Sequence, residues 1–217
     1  MENAVTMRKN KILISFSFIS TILFVLLLGN IVYALLFGKA LFEIPILFGI
    51  IVIHSFLLFN GILFSEVKLK DLMPNTDLKT YLIIIGFYIG TMLVVAICFG
   101  ILYFLGFPPD SYKTQDRIQE AGFMAIFFAV IVAPFSEELF FRAFLVKKTG
   151  LVASAIIFML FHISYGSIYQ LLATFIFGIS LGVLYKKRGI NHSILLHFMI
   201  NFISLSATFL MRYFYLF

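Results

Sequence analysis

Apolar residues occur in long runs along this chain, and short polar or charged stretches separate the runs. A helix needs about 20 mostly apolar residues to cross a bilayer, and most of these runs reach that length. The pattern predicts seven apolar helical segments, at approximately residues 12–37, 42–65, 80–107, 120–147, 150–166, 168–185 and 191–212.

The composition supports a membrane location for these segments. The chain is 62% hydrophobic and only 12% charged, whereas soluble domains carry about 25% charged residues. We therefore predict an all-α, polytopic membrane bundle of about seven spans, forming a single membrane domain over residues 1–217. The segments at 150–166 and 168–185 are short and joined by an uncharged turn, so six to eight spans are compatible with the pattern.

Basic residues are distributed unevenly between alternate loops, as the positive-inside rule requires. With a cytoplasmic N-terminus, eleven Lys and Arg residues lie at inside ends of the segments and four at outside ends, which predicts this orientation in the cell membrane. This topology accounts for the net charge of +6, so we infer the lipid bilayer and no nucleic acid as a partner. The inside residues are Arg8, Lys9, Lys11, Lys68, Lys70, Lys79, Lys147, Lys148, Lys186, Lys187 and Arg188; the outside residues are Lys39, Lys113, Arg117 and Arg212.

Two adjacent glutamates, Glu137 and Glu138, interrupt the fourth apolar segment, and Arg142 follows four residues later. A carboxylate at the centre of a bilayer costs about 3 kcal/mol on insertion scales. Such residues are therefore rare in spans, and they mark functional sites. The fourth segment is thus both a span and the first place to look for chemistry.

Three other polar side chains lie at a similar depth on two further segments. At 1.5 Å per residue, Glu137 lies roughly 15 Å before Lys147, and His162 lies roughly 16 Å after Leu151. His197 and Asn201 follow Arg188 by roughly 13 to 20 Å. Independent structural residues would not be expected to share one depth, so we predict that these side chains form one site.

Spacing within the helices suggests different tasks for the two glutamates. Glu138 and Arg142 stand at i and i+4, so they share a face and can pair. Glu137 is rotated by about 100° from Glu138 and is expected to point elsewhere, where it is available as a general base. Pro134 removes a backbone hydrogen bond and allows a kink that opens space for water. His197 and Asn201 also stand at i and i+4 and can face one pocket.

Each feature also has a purely structural interpretation. The Glu138–Arg142 pair taken alone is more typical of a buried structural ion pair, and His162 and His197 taken singly are as compatible with a structural role as with catalysis. His54 has apolar neighbours and no companion charge, so we interpret it as a hydrogen-bonded core histidine. The combination at one depth favours water activation.

Three motifs in the second half of the chain resemble those of a known family. Residues 137–142, Glu-Glu-Leu-Phe-Phe-Arg, fit an EExxxR motif; residues 158–162 fit FxxxH; and residues 197–201 fit HxxxN. Their order and separation are similar to those of the CAAX protease and bacteriocin-processing family of intramembrane endopeptidases. The resemblance covers about residues 120–205, whereas spans in 12–107 carry no motif of the family.

The resemblance implies an endopeptidase that hydrolyses a peptide bond in a membrane-bound peptide or protein tail. By motif position, Glu137 activates water with the help of His162, while His197 and Asn201 stabilise the oxyanion of the tetrahedral intermediate. Each donor to a developing oxyanion contributes roughly 3 to 4 kcal/mol in other enzymes. The depth estimate places the cleaved bond near the cytoplasmic half of the bilayer.

The resemblance gives Glu138 and Arg142 the task of holding the site in shape. It leaves the metal question open, because Glu137, His162 and His197 are also a possible Zn²⁺ ligand set with a fourth position for water. No HExxH spacing supports zinc, so we favour a glutamate-dependent mechanism with no obligatory metal.

Two other function classes compete with the peptidase. A non-proteolytic membrane scaffold or bacteriocin-immunity protein could keep the same fold and act through partner contacts. A proton-coupled transporter could use the intramembrane Glu and His residues as a relay, although the hydropathy contains no inverted repeat.

Overall fold

In the computed structural model, the described backbone covers residues 2–38, 41, 43–73 and 77–215. Side chains are described over the same ranges except at residues 2–10, 35, 69, 111, 119, 121 and 211–215, so Arg8, Lys9, Lys39 and Arg212 lie outside the described set. The main α-helices are α1 (Glu2–Phe37), α2 (Ile46–Phe64), α3 (Leu78–Phe104), α4 (Ser111–Phe127), α5 (Ala133–Glu137), α6 (Lys147–Thr149), α7 (Leu151–Leu160), α8 (Ile168–Arg188) and α9 (Ile190–Tyr215).

The predicted all-α membrane bundle is confirmed. Within the described residues, six helical stretches are long and apolar enough to cross a membrane: Lys11–Ala34, Ile46–Phe64, Leu78–Phe104, Gly122–Thr149, Ile168–Arg188 and Ile190–Leu210. The fifth predicted segment is shorter, because α7 has only ten residues and a 3₁₀ turn at Ile163–Tyr165 completes it. Six long helices and one short one agree with the predicted range of six to eight.

One end of the bundle gathers the loops that are rich in lysine and arginine. The Lys147 ammonium donates to the Ser65 carbonyl oxygen at 3.4 Å, which joins the end of α2 to the end of the fourth span. Asn191, at the start of α9, donates to the Met73 carbonyl oxygen at 3.1 Å. We call this the basic end; its described basic residues are Lys11, Lys68, Lys70, Lys79, Lys147, Lys148, Lys186, Lys187 and Arg188.

Asp110 organises the opposite end. Its carboxylate accepts hydrogen bonds from the Ser167 hydroxyl at 2.6 Å and from the backbone N–H groups of Ile168 and Tyr169 at 2.9 and 3.3 Å. Burial alone would raise the pKa of Asp110, but these donors and the charge of Lys113 outweigh it and hold the pKa below its ordinary value of 3.8. Because the donors lie at the start of α8, Asp110 fastens the loop before α4 to that helix.

The first two helices associate through polar side chains in an otherwise apolar interface. Ser17 donates to the amide oxygen of Asn60 at 2.9 Å, and the Asn60 amide nitrogen donates to Thr21 at 3.2 Å. Hydrogen bonds between membrane helices contribute because the surrounding lipid offers no competing partner. Stacked rings of Phe24 and Phe56, with centroids 4.2 Å apart, extend the same contact.

The fourth span is not a regular α-helix. It breaks at Gly122, whose φ of 75° and ψ of 178° turn the polar first part of α4 away from the rest. Two π-helical stretches follow, the first π segment at Phe128–Val132 and the second π segment at Glu138–Val146, on either side of α5. Helices with this wider winding are rare and often lie at functional sites.

Helix α2 approaches the second π segment at its beginning. A Cβ atom added to Gly61 would lie 2.9 Å from the Leu139 Cβ and 3.0 Å from the Phe140 backbone nitrogen. Only glycine permits this separation, so Gly61 sets the distance between α2 and the helix that carries both glutamates.

Candidate active site

Glu138 lies completely inside the bundle, where Arg142 accompanies it. The Arg142 Nε lies 3.4 Å from Glu138 Oε2, and the two side chains are 1% and 0% exposed. The geometry is that of an ion pair without an aligned hydrogen bond, since Oε2 and both terminal guanidinium nitrogens have no hydrogen-bond partner among the described residues. Phe158 supplies a further contact, with its ring 4.3 Å from the guanidinium carbon, a distance typical of a cation–π interaction.

His197 lies between the two glutamates. Its Nδ1 is 2.8 Å from Glu138 Oε1, and its Nε2 is 3.7 Å from Glu137 Oε2. Because the ionised carboxylate of Glu138 can only accept, we assign the Nδ1 proton to this bond. The Nε2 edge of the ring then faces Glu137.

This arrangement adds a contact that the expected divergence of Glu137 and Glu138 did not indicate, since both carboxylates meet His197. Adjacent residues of a helix do diverge, but the two nitrogens of an imidazole lie on different edges of the ring. One histidine can therefore contact two diverging carboxylates. Glu137 remains distinct in another respect, because its Oε2 has no hydrogen-bond partner among the described residues although the residue is only 9% exposed.

Asn201 is held by a backbone carbonyl that the first π segment sets free. The Ala133 N–H donates to the Phe128 carbonyl oxygen, five residues back. In that register the next carbonyl, that of Ala129, would need an N–H at Pro134, and proline has none. The Asn201 amide nitrogen donates to the Ala129 oxygen at 2.7 Å instead. Pro134 thus acts as predicted by removing a donor, and its effect is to position Asn201.

His162 has a defined tautomer in its neutral form. Its Nδ1 lies 2.9 Å from the Phe158 carbonyl oxygen, which is an acceptor only, so Nδ1 carries the proton. The Nε2 atom is then a free base. His162 stands at the end of α7, where the chain leaves the α-helix, and its ring packs edge-on against Phe158 with centroids 4.8 Å apart.

A cavity of about 410 Å³ connects these residues. Glu137, His162, His197 and Asn201 all line it, and they come from α5, the end of α7, and α9. The prediction that side chains at one depth share one pocket is consistent with this geometry. Their catalytic roles stay a prediction.

His54 also lines the cavity, which its sequence context did not indicate. The predicted hydrogen bond of a core histidine is present, since the His54 Nδ1 lies 2.8 Å from the Ser136 hydroxyl. The same depth estimate would have found this residue, because His54 lies eleven residues before Ser65, or roughly 16 Å from the basic end. Its place in the cavity wall was not recognised because the sequence of α2 contains no motif that would have linked His54 to the site.

The possible zinc ligands are only partly arranged for a metal. A metal-binding histidine commonly donates its second ring N–H to a carboxylate or a carbonyl, as His162 and His197 do here. Among the described residues, however, no three His, Cys, Asp or Glu side chains come close enough together to hold a metal ion. The zinc set of Glu137, His162 and His197 therefore does not fit as the side chains stand.

A comparison with protein families bears on the second half of the chain. Residues 119–203 match the Rce1-like family. Its model is described as type II CAAX prenyl endopeptidase Rce1-like, and the match confirms the resemblance that the three motifs indicated. We call residues 119–203 the Rce1-like segment; it contains Glu137, His162, His197 and Asn201 and excludes His54.

The match supports a membrane-embedded endopeptidase at the level of the family. Together with the six apolar helices, it supports an integral membrane protein. No curated protein and no solved structure matches the chain.

Proposed function

We propose that this protein is an intramembrane endopeptidase that hydrolyses a peptide bond in a membrane-associated peptide or protein tail, with Glu137 as the base. The observation that carries the proposal is the state of Glu137: a buried carboxylate whose Oε2 has no hydrogen-bond partner among the described residues, in the wall of a cavity that also contains two histidines and an amide. Because Glu137 lines this cavity, its carboxylate can meet a water molecule or a substrate there.

The neighbouring side chains fit the steps of amide hydrolysis. Glu137 would take a proton from water as the oxygen attacks the carbonyl carbon, and His162, with its free Nε2, would help to orient that water. The proton would then pass to the leaving amine, which leaves Glu137 ionised again. Glu138 is occupied by Arg142 and by His197 and would hold the site in shape.

The oxyanion would be stabilised by His197 and Asn201. This role requires a proton on the Nε2 of His197, so it predicts the imidazolium form during the reaction. That cation would have a carboxylate near each edge, at 2.8 and 3.7 Å. Asn201 uses one amide hydrogen for Ala129, and its second amide hydrogen is the one that can reach an oxyanion.

The deciding experiment is to trap substrates with Glu137→Gln and to identify them by mass spectrometry. The variant keeps the shape of the side chain but cannot act as a base, so it should retain peptides that the wild type cleaves. On such a peptide, the rate should fall by about 10²- to 10⁴-fold, with an unchanged unfolding temperature.

The matched control is Glu66→Gln. Glu66 is exposed at the basic end, where it lies 3.7 Å from Lys147 and far from the cavity, so its variant should cleave at the wild-type rate. If a folded Glu137→Gln protein cleaves as fast as this control, Glu137 is not the base. If both variants preserve the cellular phenotype while no peptide is cleaved, the scaffold alternative is correct.

A further inference from the structure

Most of the cavity lies between the level of Glu137 and the end of the bundle that Asp110 organises. From the level of Glu137 and His197, its lining continues along α9 to Thr208, eleven residues or roughly 16 Å beyond His197. On α8 the lining includes Ser167 and Gln170, at the start of that helix, and on α4 it includes Thr114 and Arg117. These positions lie towards the end that Asp110 organises.

The other half of the bundle is closed. On the side of Glu137 that faces the basic end, the described helices carry fully buried side chains. They include Phe141 and Arg142 of the second π segment, Leu184 of α8 and Leu196 of α9, each at most 1% exposed. Within the described residues, this packing blocks a direct route for a peptide from the basic end to Glu137.

The basic end has a predicted side of the membrane. Nine described Lys and Arg residues lie there, whereas Lys113 and Arg117 are the described ones at the Asp110 end. A bias of this kind places the basic end in the cytoplasm. The orientation and the shape of the cavity come from different observations, and together they define the side of entry.

We propose that the active-site cavity is entered from the extracytoplasmic side, through a mouth between α4 and the ends of α8 and α9, and that its substrates are peptide segments exposed on that side. This inference rests on the proposed function, because it assumes that a peptide is cleaved in the cavity. The side of entry rests on the uneven distribution of basic residues. The inference leaves the expected depth of the cleaved bond unchanged and adds the side from which a substrate arrives. Tails that stay in the cytoplasm would not reach Glu137.

The chemistry of the mouth suits a peptide backbone. Its rim carries uncharged hydrogen-bonding side chains from three helices, and the Thr114 hydroxyl is a buried atom without a hydrogen-bond partner among the described residues. An extended peptide brings unpaired N–H and C=O groups that such side chains can bind, whereas a bare acyl chain could not satisfy them. The uncharged rim residues are Thr114, Gln115, Gln170, Ser204 and Thr208.

Cysteine accessibility tests the side of entry without knowledge of the substrate. Replacing the single native cysteine by Cys98→Ala gives a background for one new thiol at a time. Ala129→Cys places the thiol in the cavity wall, Ile131→Cys places it on the exposed apolar face of the same helix, and Lys148→Cys places it at the basic end. Each variant is treated with a charged, membrane-impermeant methanethiosulfonate reagent in right-side-out and in inverted membrane vesicles.

We expect Ala129→Cys to react in right-side-out vesicles and Lys148→Cys in inverted vesicles. Since the thiolate is the reactive form and requires water, Ile131→Cys should react about tenfold more slowly than Ala129→Cys, or not at all. Reaction of Ala129→Cys and Lys148→Cys from the same side would overturn the proposal, as would an Ala129→Cys that is inert from both sides.

Labelling of unfolded protein is excluded by requiring that each variant, purified in detergent, elute from a size-exclusion column at the same volume as the wild type. A labelling pattern as expected, combined with no peptide trapped by Glu137→Gln, would leave the side of entry standing and would reject the proposed function. If peptides are trapped but Ala129→Cys is labelled from the basic end, the proposed function stands and the proposed side of entry is rejected.

Discussion

The three N-terminal helices and the Rce1-like segment differ in how they use polar side chains. In the apolar stretches of α1, α2 and α3, 17 to 22% of the residues are buried inside the protein. In those of the fourth span, α8 and α9, the share is 33 to 39%. In the first region polar groups such as Ser17 and Asn60 pair with each other and connect helices. In the second, the Oε2 of Glu137 lies at a cavity and has no hydrogen-bond partner among the described residues.

Buried polar groups therefore serve two purposes in this membrane protein: some connect helices, and others are available for chemistry. A satisfied pair stabilises the contact between helices, and its loss should reduce stability without affecting chemistry. A partly satisfied group is costly to bury, so its persistence points to a task. Substitutions in the two regions should therefore separate stability from activity.

The largest effect among these substitutions is expected for Asn201→Ala. The change removes a proposed oxyanion donor, so cleavage should slow by about 10²- to 10³-fold. It also leaves the Ala129 carbonyl unsatisfied, which should lower the free energy of unfolding by about 1 to 3 kcal/mol. Peptide cleavage and thermal unfolding in detergent measure the two losses.

The double variant Asn201→Ala, Pro134→Ala separates those losses. Alanine at position 134 restores an N–H that can reach the freed carbonyl, so stability should recover in part while activity should not. Full recovery of cleavage would show that Asn201 acts only through the backbone.

A smaller effect, on stability first, is expected at the contact between the two regions. Gly61→Ala forces a Cβ to within 2.9 Å of the Leu139 Cβ, and overpacking of this kind costs about 1 to 3 kcal/mol. Gly49→Ala, on the same helix with open space around it, is the matched control and should be tolerated. Equal unfolding temperatures for the two variants would contradict a close contact at Gly61.

The Asp110 contact predicts a pH dependence. Its pKa is lowered in the folded state, so the ionised carboxylate stabilises the fold above the ordinary value of 3.8, and this contribution is lost as the pH falls through the lower, folded pKa. Asp110→Asn should lower the free energy of unfolding at neutral pH by about 1 kcal/mol, because a neutral acceptor binds N–H donors more weakly. Unfolding followed from pH 7 down to about 3 should show a smaller decline for Asp110→Asn than for the wild type.

The smallest effect is expected within the first region. Asn60→Ala removes the hydrogen bonds to Ser17 and Thr21, and such bonds between membrane helices average about 0.6 kcal/mol. Cleavage should be unchanged. Ser15→Ala, which removes only an exposed bond within α1, is the control. A loss of activity in Asn60→Ala at unchanged stability would break the division between the regions.

Helix number, helix positions and the grouping of Glu137, His162, His197 and Asn201 could be predicted from the sequence, because hydropathy and depth are local properties of the chain. The π segments could not, since no residue pattern specifies the wider winding. Pro134 indicated from the sequence that one backbone N–H donor is absent, but its link to Asn201 depends on packing between α5 and α9. The hydrogen bond of His54 was predicted, whereas its place in the cavity wall was not, since that depends on how α2 packs against α5.

The shortness of α7 has a consequence for the lipid around the protein. Its exposed apolar side chains run from Val152 to Ile163, a height of roughly 16 Å at 1.5 Å per residue, while the hydrocarbon core of a bilayer is about 30 Å thick. A short apolar stretch is accommodated by a thinner bilayer beside it. We expect the acyl chains next to α7 to tilt or compress and the protein to favour thin membranes, a preference that vesicles of graded acyl-chain length would reveal.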